Sequence, residues 1–251
     1  MKTEQFYIKD HDDFLAAAAY RPAGAVKACA VFVHAYSNWK DEHDYMFCRM
    51  ANALADNHTA SLLFDMRGHG ESAGLLEDAT FETMCKDIAK AAAYAKKEIC
   101  PDIYIITAGF SARLCAEAVG NDAKGYVLLS PAVEIPEELR FLAAHDGEHL
   151  HTVLAAHPER AAAEKAMEQM GMLPRFVTAE TVSGDLFACK RFSGTPVSVR
   201  TLVFGSGQLP EYGSVFPNSS YCEAKGGGVL FRSPAVIEQM TEQIGQFIES
   251  N

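Results

Sequence analysis

This 251-residue chain has no run near the ~20 consecutive apolar residues that a membrane span requires. Its first residues, Met-Lys-Thr-Glu-Gln-Phe-Tyr, lack the apolar stretch of a secretion signal. Positive charge is short: 22 Lys and Arg stand against 33 Asp and Glu, a net charge of −11. That balance argues against a nucleic-acid footprint and against binding to an anionic membrane. Paired metal-type cysteine spacing is missing too. The seven cysteines (29, 48, 85, 100, 115, 189 and 222) are scattered, several within apolar runs, so they read as reduced core thiols of a cytoplasmic protein. Neither an internal repeat nor a low-complexity linker is visible. Two further shortages matter later: no histidine lies beyond His157, and Asp185 is the sole aspartate after residue 150.

An apolar share of 49% supports a sizeable core. Residues 5–20 read as an antiparallel pair of strands turned at 10–13. Short continuous apolar runs at 28–33, 60–64, 103–107, 125–130 and 198–204 fit strands buried on both faces. Helical spacing fills the gaps at 44–55, at 81–99 with Thr80 or Asp78 as the cap, and at 111–119. A weak final strand at 220–224 and an amphipathic helix at 233–249 close the chain. Such alternation predicts an α/β fold, a doubly wound and mostly parallel sheet. Between about 134 and 195 the texture changes to short helices without strong strands.

The stretch on which chemistry would turn is Tyr104-Ile105-Ile106-Thr107-Ala108-Gly109-Phe110-Ser111-Ala112-Arg113. A β-branched run ends in Gly-x-Ser and passes into helix-like sequence, the context of a sharp strand-to-helix turn that lifts a nucleophile above a sheet. Gly109 makes room for the turn, and the first helical N–H groups would face charge forming near Ser111. The pattern ordinarily closes with a second glycine, and Arg113 stands there.

Residues 30–131 resemble the first half of the α/β-hydrolase superfamily. The likeness is carried by Val31-Phe32-Val33-His34-Ala35-Tyr36, by Asp65-Met66-Arg67-Gly68-His69-Gly70-Glu71-Ser72, by the Gly-Phe-Ser turn and by Val127-Leu128-Leu129-Ser130-Pro131. The Ser-Ala-Arg ending is also similar to bacterial acyl-ACP thioesterases that feed bioluminescence. The resemblance implies a core of residues 1–133 and 196–251 with a helical cap insertion at 134–195. It implies Ser111 as nucleophile and the backbone N–H groups of Tyr36 and Ala112 as oxyanion hole. No metal or cofactor is implied. The partner would be a small-molecule acyl substrate or ligand, without nucleic acid or membrane span, and a homo-oligomer is compatible.

The likeness fails at the other end. Acyl transfer needs a base and an acid behind it. Residues 226–234 are similar to the family's Gly-x-Asp-His-x-Phe loop with Val229 at the histidine position. The run 203–208 is similar to its Gly-x-x-Asp turn with Gln208 at the acid's place. His34 and His69 read as structural. His145, His149 and His151, with Asp146 and Glu148, read as a charged helix of the cap rather than a base or an i, i+4 metal pair. Two functions remain open. One is a serine esterase or thioesterase with a non-standard or missing base; the other is a catalytically inactive relative that binds a small hydrophobic or acyl ligand.

Overall fold

Buried, alternating side chains dictate the architecture. The computed structural model describes residues 1–10, 13–36, 38–170, 182, 184–206, 209, 211–226 and 231–250. Eight strands form one sheet: β1 (Lys2–Asp10), β2 (Asp13–Arg21), β3 (Ala28–Val33), β4 (Thr59–Phe64), β5 (Ile103–Ala108), β6 (Gly125–Leu129), β7 (Thr201–Gly205) and β8 (Ser219–Glu223). Their order is β1-β2-β4-β3-β5-β6-β7-β8. β1 and β2 pair antiparallel, as does β2 with β4, and every later pairing is parallel. The expected fold class is the observed one.

Every residue of β3, β4, β5 and β6 is buried, as the continuous apolar runs required. Successive side chains enter opposite layers. Cys29, Val31 and Val33 of β3 join one core with α2 (Phe81–Glu98) and α3 (Ser111–Ala118). Ala30 and Phe32 join the other, with α1 (Met46–Asp56) and the closing helix 234–249. Thr80 caps α2, its hydroxyl accepting the Thr83 N–H at 3.2 Å.

Three departures from expectation have identifiable physical reasons. α1 starts at Met46 because Asp44 and Tyr45 hold positive φ values of 53° and 59°. β7 starts at Thr201 because Ser198 is tied to the Asn121 side-chain oxygen Oδ1 through both its N–H (2.7 Å) and its hydroxyl (3.0 Å). Residues 145–149 are a turn instead of a helix. Gly147 sits at φ +75°, and its N–H donates to Val182 O at 2.9 Å while the Val182 N–H returns to Glu148 O at 2.8 Å. His145 and His149 therefore share no helix face. The other described elements between 134 and 195 are a 3-10 helix at Glu137–Ala144, α4 (Leu150–Ala156), α5 (Arg160–Gln169) and α6 (Gly184–Phe187). The closing helix, Pro234–Glu249, is α7.

Two buried carboxylates shape the loop after β4. Asp87 on α2 takes a two-point grip from Arg67, Nε to Oδ2 at 3.0 Å and Nη2 to Oδ1 at 2.8 Å. Asp65 accepts the Lys40 ammonium at 3.0 Å and the backbone N–H groups of Lys40 (2.6 Å) and Glu71 (3.1 Å). Gly70 passes directly over that carboxylate at φ +50°, where a Cβ would collide with the Asp65 oxygens. Gly70→Ala should therefore cost about 1–3 kcal/mol of stability. A urea titration checks this by a lower midpoint at unchanged slope.

Candidate active site

The chain leaves β5 through Gly109, which adopts φ +57°. Its N–H donates to Leu129 O at 3.0 Å and its carbonyl accepts the Ala132 N–H at 3.1 Å, so the turn is fastened to the end of β6. Phe110 is already helical (φ −69°, ψ −17°), and Ser111 opens α3. A nucleophile elbow places its reactive residue at the strained tip of the turn. Here the left-handed position, open without strain only to glycine, is Gly109. Ser111 lies two residues further on, inside the first turn of the helix.

That displacement decides what the serine does. Ser111 is completely buried, and its Oγ donates to the His34 carbonyl at 2.6 Å. The hydroxyl joins the exit of β3 to the start of α3. Its sole hydrogen bond among the described residues is this one, to an acceptor that takes no proton in acyl transfer.

One of the two expected oxyanion donors is bonded within the helix. The Ala112 N–H, expected to point at an acyl oxygen, donates instead to Gly109 O at 3.3 Å, because it lies within the helix rather than just after the tip. The residue that does follow the tip is Phe110. Its N–H is 3.0 Å from the carbonyl of Met170, a buried residue at the end of α5. Tyr36 is buried, with its ring edge-on to His69 (5.5 Å between centroids) and to Phe187 (6.5 Å).

The loop carrying Tyr36 hangs on a residue that sequence reading passed over. Glu42 is buried at φ 57°, and its carboxylate accepts the Ala35 N–H at 3.1 Å and the Asn38 amide at 2.6 Å. Burial pushes Glu42 up to about 8, against those two bonds, which favour the charged form. Nothing in the polar run 37–45 marks this glutamate out beforehand.

No described histidine serves the serine. The His34 ring spends Nδ1 on Ala35 O (2.8 Å) and Nε2 on the Met66 N–H (3.0 Å), which sets its tautomer, and burial lowers it to about 3. His69 bonds Arg67 O at 2.8 Å. His145 faces Glu148 at 3.0 Å, and His157 stacks on Phe141 at 3.8 Å. Val229 and Gln208, the residues at the family's base and acid positions, lie outside the described residues.

Arg113 has a structural explanation. Its guanidinium reaches Glu117 (3.1 Å) and the carbonyls of Val133 (3.2 Å) and Lys190 (3.3 Å). It lies over the rings of Phe81 (5.6 Å) and Phe192 (4.9 Å). Glu134 accepts the Phe192 N–H at 3.0 Å. One buried cation thus fastens both ends of the helical segment 134–195 to α3.

Residues 24–203 match the family model described as serine aminopeptidase, S33. Solved structures share the fold over nearly the whole chain. The ferulic acid complex of Est1E from Butyrivibrio proteoclasticus is 19% identical with a TM-score of 0.66, covering 98% of both chains. The α/β hydrolase GrgF from Penicillium sp. sh18 is 14% identical with a TM-score of 0.71, covering 100% of this chain and 99% of its own. The esterase EaEST from Exiguobacterium antarcticum is 14% identical with a TM-score of 0.67, covering 98% of this chain and 100% of its own. Among curated proteins none matches.

Glu42 generates a pH dependence whose sign is fixed. A carboxyl raised from 4.5 to about 8 on folding holds its proton in the native state after the unfolded chain has lost it. Its contribution is whole below pH 4.5 and is lost as pH rises towards about 8. Glu42→Gln should remove that loss, so the variant gains on the parent across this window and the gap then levels. Urea unfolding on either side of the window measures it.

Proposed function

The chain belongs to the serine aminopeptidase S33 family of α/β hydrolases, and within it we propose a binding protein for a small acyl or other hydrophobic ligand, not a hydrolase acting through Ser111. The observation that carries this reading is the buried Ser111 hydroxyl, committed to His34 O behind a turn whose tip is glycine. Two features add to it. The N–H after the tip is bonded to Met170 O, and the histidine and acid positions hold Val229 and Gln208 in sequence.

Magnitude separates the two readings. In subtilisin, removing the serine or the histidine alone costs about as much as removing the whole triad, roughly six orders of magnitude in turnover. What survives from oxyanion contacts and binding is about 10³–10⁴ over water. On this reading the site keeps at most that residual acceleration, and binding is its main capacity. The helical segment 134–195 is then a cap over that site. All seven cysteines are free, which fits a reducing, cytoplasmic setting.

Hydrolysis of an acyl ester or thioester through Ser111 is the competing reading. The assay is turnover of p-nitrophenyl esters and acyl thioesters over several chain lengths, beside calorimetric titration with non-hydrolysable ether analogues. The expected result is saturable analogue binding with no turnover that Ser111→Ala removes. Turnover abolished by Ser111→Ala would establish the hydrolase and end the proposal.

A further inference from the structure

A cavity of about 400 Å³ opens beside Arg113, between the start of α2 and the segment that follows α6. Its size is within the ~300–1,000 Å³ of ordinary small-molecule sites. Phe81 and Glu82 of α2, Arg113 of α3, and Asp185, Lys190 and Arg191 are among the residues that line it.

The cations in its lining outnumber the carboxylates, three to two. Glu82 is paired with Lys86 at 2.6 Å, and the Arg113 guanidinium is already matched by Glu117 at 3.0 Å. Lys190 and Arg191 are exposed, and among the described residues neither ammonium nor guanidinium has a carboxylate partner. Asp185 is the one opposing charge left in the lining. Phe81 offers an apolar wall next to these cations, beneath which Arg113 lies 5.6 Å from its ring centroid.

We propose that this cavity binds a small monocarboxylate with an apolar body, its head group held by Lys190 and Arg191 and its body against Phe81. Gly109, Phe110 and Ser111 do not line it, and the proposal stands whether or not Ser111 is silent. It also couples to the cap: the Lys190 carbonyl is one of the groups that Arg113 holds, so a bound carboxylate would engage the same backbone that fastens the segment's end. Charge-assisted hydrogen bonds of this kind are short-ranged and directional, which favours a carboxylate over a neutral isostere.

The test is isothermal titration of the full chain at low ionic strength with hexanoate, with hexan-1-ol and inorganic phosphate as controls. Saturable hexanoate binding is expected, with hexan-1-ol silent and phosphate weaker. The double variant Lys190→Gln/Arg191→Gln, at exposed positions, should keep the parent's melting profile and weaken hexanoate by about tenfold or more. Asp185→Asn removes the opposing charge and should tighten it. Binding through a central acyl pocket would instead ignore all three substitutions. The proposal is overturned by hexan-1-ol or phosphate binding as tightly as hexanoate, by affinity unchanged in the double variant, or by absence of saturation.

Discussion

The left-handed backbone at Gly109 is the constraint on which the upper face of the sheet depends. It lets the chain reverse from β5 into α3 within two residues while both of its peptide groups remain bonded to the end of β6. With the turn placed there, Phe110 must begin the helix and Ser111 must face the exit of β3. The 2.6 Å bond from Ser111 to His34 O then fixes α3 against that strand.

Around this turn the molecule spends buried polar groups on shape. Glu42 holds the loop after β3, Asp65 and Asp87 hold the loop after β4, and Arg113 fastens the helical segment. Asp65, Asp87 and Arg113 are deeply buried and multiply bonded, which is what makes burial of a charge tolerable, whereas burial raises Glu42 to about 8 and favours its neutral form. Beside them the Phe110 N–H at the turn donates to Met170 O. These groups serve shape, and none of them is bonded to the Ser111 hydroxyl among the described residues.

Much of the fold was legible because its signals are local and redundant. The strands buried on both faces read as unbroken apolar runs, and α2 carried both its periodicity and its Thr80 cap. The tip of the turn was harder to read. Gly109 and Ser111 stand two residues apart in one small-residue stretch, so spacing alone fits a turn centred on either, and only the positive φ at Gly109 decides. Residues 145–149 show the same limit from another side. Their histidine spacing suits a helix, yet Gly147 and the backbone pairing with Val182 make a turn. Glu42 was illegible because its importance comes from burial, which a polar run does not announce.

The central claim, that no reactive hydroxyl stands at the turn, is tested most directly by covalent labelling with a fluorophosphonate, read by intact mass and peptide mapping of the folded chain. The account predicts an unmodified mass and no adduct on the peptide containing Ser111. A stoichiometric adduct on Ser111 in the native protein, absent after denaturation, would contradict it.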